Sequence, residues 1–503
     1  MIRSPSGNAF RMHISEKAGS PVRDNNPDSP QGTAIVASSV VSSMPGSVSH
    51  EDAHDAYGFR EACRHGDIWT YLSFVVLGLG NVMRGQIVKG LCWLLVEAAF
   101  IAFMIVGGVP SIVGLWHLDT GGKLVNVIQD GFSVATTTAP SYVMLLYGMA
   151  SLFIVVMFVA FWWFAVRSAY RAQVLAKRNG TAPSIVEDLR DLTDRKAQNS
   201  LMSLPVLGIL VFTVMPLVYM ISMAFTGYGP NGNPNYVSTF GWVGLRNFKT
   251  LFSNQSGLSV NLHLFIQVAI WTLVWAFFAT FLNYFLGMFI AMLINRPGIR
   301  FKGFWRSVFA MSIAVPQFVS LLVMNLMLGQ SGIVNNLLMN AHWISSPLPF
   351  WSNPMWARIT VIVINLWIGI PFTIMQVTGI LQNIPAELYE AARVDGANAW
   401  QLFRSVTMPY MFFVMTPYLI TTFVGNVNNF NVIYLLTGGG PTPTGQSAGA
   451  TDLLITWIYS LSIDKGNYSM ASVIGIFTFI VLAVISLVTY RSSASYKNEG
   501  GFQ

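Results

Sequence analysis

The chain has 503 residues, of which 53% are hydrophobic and only 10% charged, against roughly 25% charged in an ordinary soluble domain. With a mean hydropathy of +0.54, so few charges cannot clothe a water-facing surface on a chain this long; that excludes a soluble enzyme and reads as a polytopic membrane protein. The net charge of +7 is no argument for nucleic acid, because membrane proteins gather Lys and Arg in cytoplasmic loops whatever they do. Two cysteines, Cys63 and Cys92, build neither a disulfide framework nor a metal cluster.

Residues 1–58 are rich in Ser, Pro, Gly and Asn and lack apolar periodicity, which predicts a disordered tail. The tail holds no apolar stretch of secretory-signal length, so insertion falls to the spans that follow. Residues 59–89 read as a cytoplasmic or interfacial segment. Its apolar stretch Ile68–Gly80 is only 13 residues long and is followed by Arg84 and Lys89, so it is expected to lie at the interface rather than span. Eight segments reach the roughly 20 apolar residues that a spanning helix needs: 90–112, 142–166, 202–225, 266–294, 308–328, 357–382, 410–436 and 470–490. The expectation is an all-α membrane protein with about eight transmembrane helices. Two of them fall in 90–200, the rest form a core over 201–490, and 491–503 is a short tail. With the N-terminus inside, the cytoplasmic segments hold 23 of the 28 Lys and Arg, which predicts both termini in the cytoplasm.

Between the sixth and seventh segments, residues 383–409 hold Glu387, Glu390, Arg393, Asp395 and Arg404, a charge density far above the helices around them. Asn383 is placed to cap a helix, Pro385 suits its first turn, and Glu387 and Glu390 sit near the positive end of its dipole. Leu388, Ala391 and Ala392 recur at helical spacing. Gly396 then stops the helix, since glycine tolerates the left-handed exit conformation. After Asn398 a second short helix, with Trp400 and Phe403 on its apolar side, leads to Pro409. The prediction is a helix-turn-helix elbow across the membrane face, facing something soluble.

This elbow resembles the coupling loop of importer-type ABC permeases: Glu-Ala-Ala, three residues, Gly, nine residues, Ile-x-Leu-Pro. Glu390, Ala391, Ala392 and Gly396 match, residues 397–405 are the nine, and the end reads Val406-Thr407-Met408-Pro409, with Val for Ile and Met for Leu. The runs Asn365-Leu366-Trp367-Ile368-Gly369-Ile370-Pro371-Phe372, Asn426-Val427-Asn428-Asn429-Phe430 and Leu435-Leu436-Thr437-Gly438-Gly439-Gly440-Pro441 look like the maltose-type sugar permeases. The closing stretch Thr451–Gln503 looks like the Gram-positive and actinobacterial branch for maltodextrins or galacto-oligosaccharides. The outer loop 226–262 is short and lacks the large insert of some members.

The resemblance implies a subunit of an ATP-driven importer in a bacterial plasma membrane. Its partners would be a second homologous permease, a pair of ATP-binding subunits that carry MgATP, and an extracellular solute-binding lipoprotein that delivers an oligosaccharide. This chain would hold no cofactor of its own. Glu390, Ala391, Ala392, Arg393, Asp395 and Gly396 would face the ATPase. Asn365, Ile368, Gly369, Phe372, Thr422, Gly425, Asn426 and Asn429 would line the sugar path, with Gly425 standing where members can carry an aromatic. Asparagine in a spanning helix needs a partner or water, so Asn365, Asn426, Asn428 and Asn429 are expected to face the bundle interior or a wet cavity. There they would either bond sugar hydroxyls or tie helices together.

Other signals point elsewhere and are weak. Gly440–Ser447 has the spacing of a phosphate loop, but Gln446 replaces its lysine and two prolines remove donors. Seven scattered histidines show no metal-ligand spacing. Glu97, the one acid within a span, fits a hydrogen-bonded interfacial role better than a proton relay. A self-sufficient secondary carrier would show inverted repeats and intramembrane charges, and a membrane enzyme would cluster acids or histidines at one face; neither pattern is evident.

Overall fold

The computed structural model describes residues 58–119, 124–129, 132–137, 140–194, 197–229, 240–253, 260–296 and 298–492. The expected tail 1–58, beyond Gly58, and the C-terminal residues after Ser492 lie outside the described residues.

Among the described residues seven helices are long and apolar enough to cross a membrane: Ile87–His117, Ser141–Asn179, Ser200–Met223, Leu262–Asn295, Pro354–Gln382, Ala399–Thr437 and Tyr468–Val488. The segment expected at 308–328 is instead a broken pair, Lys302–Ala314 and Gln317–Met327, bent by 84°. The break sits at Val315-Pro316. A residue before proline is pushed out of the helical region, and Val315 is extended at φ −78° and ψ 123°. The pair still runs from one end of the bundle to the other. At its start, Arg306 bonds the Asn295 side chain. At its finish, Asn325 bonds the Leu436 carbonyl and accepts on its own carbonyl from Trp351 Nε1 at 3.2 Å. Counted as one crossing, it makes eight among the described residues.

Ile68–Gly80 does not span. It forms two short helices, Ile68–Leu72 and Leu79–Val82, and is pinned to the first span by Glu97, whose Oε2 accepts from Leu77 N at 2.8 Å. The second span continues to Asn179, past the apolar window, because its polar end is occupied. Gln173 takes the Asp67 N–H at 3.0 Å and the Thr70 hydroxyl at 2.8 Å, and Arg171 pairs with Asp191. Arg84 is the hinge of this module: it ion-pairs with Asp67 and donates to Thr70 Oγ1 at 2.9 Å, Gly80 O at 2.8 Å and Ala169 O at 3.1 Å. Lys89 reaches Asp188 at 2.8 Å.

Departing from the all-α pattern are an antiparallel pair, Leu124–Gln129 and Phe132–Thr137 with Gln129 opposite Phe132, and a lone bridge between Thr226 and Trp242. The core follows the fourth to eighth spans. Trp457, Val473 and Ile474 centre one cluster, Trp275, Ile364 and Ile433 a second, and Tyr284, Ile374, Met411 and Met415 a third toward the elbow. The third span has no buried residue over its apolar window, so its hydrophobic surface faces outward.

Candidate functional site: a polar cavity above the elbow

Four spans meet around a cavity of about 350 Å³, at the lower end of the roughly 300–1,000 Å³ common for small-molecule sites. The fourth span gives Thr280, Asn283 and Tyr284, the bend of the fifth gives Ser312 and Gln317, the sixth gives Asn365 to Thr373, and the seventh gives Tyr418 to Asn429. Among the described residues no charged side chain is in its wall.

Local breaks in helix geometry build this wall. Pro371 and Pro417 sit inside the sixth and seventh spans, each removing one backbone hydrogen bond. A π-helical turn, Phe278–Leu282, interrupts the fourth, a device common at functional sites. The bend at Pro316 turns Ser312 and Gln317 into the same space.

Of the eight sugar-path candidates, the cavity brings together seven: Asn365, Ile368, Gly369, Phe372, Thr422, Asn426 and Asn429. Gly425 is not in the wall and has open space around it. Asn428 is exposed and ends the helix Met408–Val427, contrary to the inward placement expected for it. Two of the asparagines also tie the bundle. Asn426 Nδ2 donates to Thr280 Oγ1 at 2.9 Å, and Asn426 Oδ1 accepts from Asn429 Nδ2 at 3.3 Å, while Asn429 Oδ1 caps the helix Phe430–Thr437 through Val432 N. Helix tying and cavity lining are therefore not exclusive here. Thr280, Asn283, Tyr284, Ser312, Gln317 and Tyr418 are wall residues that the sequence reading missed. The proline at 316 was the available signal for two of them.

A second recess of about 870 Å³ lies between the fourth and sixth spans. It is mostly apolar and holds none of the candidates. Arg358 stands at its rim, 4.7 Å over the Trp271 ring, and donates to Ala450 O at 2.8 Å. The glycine-rich segment after Thr437 is a braced turn. Gly449 N donates to Asp452 Oδ2 at 2.7 Å and Thr451 Oγ1 to Gly440 O at 2.7 Å. Burial raises the Asp452 carboxyl above its ordinary value against the bonds it accepts from Gly449 N–H and the Thr456 hydroxyl.

The elbow has the predicted form with one shift. Asn383 ends the sixth span, its N–H bonding Ile380 O, and Pro385 precedes the helix Ala386–Val394. Gly396 adopts φ +80°, and Ala397 N closes the exit onto Ala392 O at 2.9 Å. Asn398 and Gln401 form a capping box for the second helix, and Trp400 packs on Phe403 at 5.5 Å. Tyr389 and Thr407 join the two arms at 3.0 Å. Glu390, Ala391, Arg393, Asp395 and Gly396 are exposed, as is Val394 at 87%, while Ala392 is half-buried. Among the described residues no ion pair engages Glu390 or Arg393, so the polar face of the elbow is presented outward.

Comparison with known proteins decides the family. The chain is 32% identical to the galactooligosaccharides transport system permease protein GanP of Bacillus subtilis over 438 residues, 87% of this chain and 100% of GanP. The chain belongs to the binding-protein-dependent transport system inner membrane components. The family model matches residues 283–495, which take in the elbow, the last span and all of the cavity wall except Ala279 and Thr280. The maltodextrin transport system permease protein MalC of Streptococcus pneumoniae (strain TIGR4) is also 32% identical, over 84% of this chain and 95% of MalC. A crystal structure of a bacterial alginate ABC transporter aligns with 60% of this chain and 96% of its own, at a TM-score of 0.48 and 24% identity. Membership in this family makes the protein an importer permease and not a self-sufficient carrier.

Proposed function

We propose that this chain is one of two homologous permease subunits of an ATP-driven importer for neutral oligosaccharides of the maltodextrin or galactan type. The observation that carries the substrate class is the cavity wall, rich in Asn, Thr, Ser, Gln and Tyr and without a charged residue. Amides and hydroxyls donate and accept, as sugar hydroxyls require, and Phe372 and Trp367 offer apolar faces for pyranose rings. Such a wall offers no charge to offset that of an acidic sugar or an ion.

An extracellular binding lipoprotein delivers the sugar, both termini lie in the cytoplasm of a bacterial cell, and the exposed elbow docks on a separate ATPase that carries MgATP. The chain itself is no enzyme. The experiment for the substrate is uptake of labelled maltotriose and β-1,4-galactotriose into vesicles holding all subunits, with glucuronate and galacturonate oligomers as competitors. The reading expects neutral sugars to compete and acidic ones not to; strong competition by the acidic oligomers contradicts it.

Two outcomes follow. The purified chain alone is expected to hydrolyse no ATP above background, and turnover in a contaminant-free preparation contradicts the division of labour. Asn426→Ala and Asn429→Ala each remove a wall group, and a lost hydrogen bond is worth roughly 0.5–1.5 kcal/mol. Uptake KM is expected to rise by about two- to tenfold with the complex still assembled. A fall in assembled complex at unchanged KM assigns the asparagines to helix tying alone.

A further inference from the structure

The recess between the fourth and sixth spans is built differently from the polar cavity: one end holds a fixed cation and the rest is hydrocarbon. At that end Arg358 is clamped from two sides. Its Nε donates to Ala450 O at 2.8 Å, and its guanidinium carbon lies 4.7 Å over the Trp271 ring. The two terminal nitrogens keep accessible surface and have no hydrogen-bond partner among the described residues, and no carboxylate among them stands within ion-pair distance. Asp452, the one acid in the same wall, is only 4% exposed, and its oxygens accept from Gly449 N–H and the Thr456 hydroxyl. A cation on a membrane span without a counter-charge is costly, so the free fork of Arg358 calls for an anion.

Depth decides which anion. The sixth span, Pro354–Gln382, has 29 residues, about 43 Å at 1.5 Å per residue against a hydrocarbon core of about 30 Å. Centred on that core, it projects about 6 Å into each headgroup layer. Arg358 stands four residues from its start, also about 6 Å, which is the level of the lipid phosphates. Beyond Arg358 the wall is apolar. Ile270, Val274 and Phe278 of the fourth span and Ile359 and Val363 of the sixth are all exposed, and Leu366 is the deepest wall residue of the sixth. From Arg358 to Leu366 is about 12 Å along the helix, close to the roughly 15 Å of hydrocarbon in one leaflet.

We infer that this recess seats one phospholipid, its phosphate on the Arg358 guanidinium and an acyl chain in the slot between the fourth and sixth spans. The arginine fork matches two phosphate oxygens, and the slot is as deep as the leaflet from which the chain enters. The inference goes beyond the transport reading and holds whichever sugar is carried.

The test is native mass spectrometry of the protein purified from membranes with its bound subunits and exchanged into dioleoyl-phosphatidylglycerol. Dioleoylglycerol, which lacks the phosphate, is the control probe. One phosphatidylglycerol per chain is expected to survive the activation that strips the rest, and dioleoylglycerol is not. Arg358→Gln keeps a donor for Ala450 O and removes the charge, and should weaken retention about tenfold or more. Val363→Trp blocks the slot with Arg358 untouched and should expel the lipid as well. If Arg358→Gln fails to assemble, Val363→Trp decides. Unchanged retention in both variants, or equal retention of dioleoylglycerol, overturns the inference. A photoreactive benzoyl-phenylalanine at position 363 gives a second readout: a phospholipid adduct on irradiation supports the site, and an adduct with another protein subunit in its place overturns it.

Discussion

Gly396→Leu and Glu390→Lys are each expected to leave the protein inserted and assembled while abolishing uptake and sugar-stimulated ATP hydrolysis together. Gly396 stands at φ +80° with open space around it, so leucine meets no clash within the chain. It meets a left-handed backbone that costs a side-chain-bearing residue roughly 1 kcal/mol or more. That cost is too small to unfold eight spans but enough to reshape a turn between two short helices. Glu390 and Arg393 sit exposed on the arm before the turn, where a reversal of charge reaches only an external partner. The elbow joins the sixth and seventh spans directly, and those spans carry all seven of the sugar-path candidates found in the cavity wall. Both rates measured in vesicles with all subunits make the check. Near-parental transport in either variant would remove 383–409 as the coupling element.

Arg84→Ala is expected to release the module 58–86 from the second span. The Arg84 side chain is 9% exposed and holds the Asp67 carboxylate, Thr70 and two backbone carbonyls. Breaking a buried pair by removing one partner costs about 3–5 kcal/mol; Asp67 keeps 33% exposure, so the lower figure applies. Hydrogen exchange over 59–86 should accelerate about a hundredfold, and unchanged protection would contradict the assignment. The same pair sets a pH dependence. Burial works against the Asp67 charge, but the bonds from Arg84 and the Thr70 N–H outweigh it and hold the carboxyl below its ordinary 3.8. A depressed carboxylate contributes stability that is complete well above 3.8 and is lost as pH falls through its folded value. The module should therefore loosen only below about pH 4.

Where the bundle crosses was legible because span length is set by bilayer thickness and shows as runs of apolar residues. Its departures have local physical causes. The second span outruns its apolar window since Arg171 and Gln173 find partners in other segments, and no one-dimensional pattern reveals those. The fifth span breaks at Val315-Pro316, a signal that was present and read as part of a continuous helix. The strands Leu124–Gln129 and Phe132–Thr137 were also written in the sequence, as an Asp-Gly dipeptide between two runs that are each half β-branched. In the cavity, residues on the regular faces of the sixth and seventh spans were found by resemblance. Asn283 and Tyr284 were missed because a π-helical turn rotates them, and periodicity counted at 3.6 residues per turn cannot anticipate an inserted residue. The elbow was legible almost entirely, since caps, glycine and charge all act within a few residues of one another.

The central claim is that sugar moves through this chain at the expense of ATP hydrolysed on a partner docked at 383–409. Its most direct test is uptake of labelled oligosaccharide into vesicles containing all subunits and the binding protein, with ATP or a non-hydrolysable analogue on the ATPase side and ion gradients collapsed by ionophores. The account predicts uptake that requires hydrolysable ATP and is indifferent to the ionophores. Uptake by this chain alone, driven by a proton or sodium gradient without ATP, would contradict it.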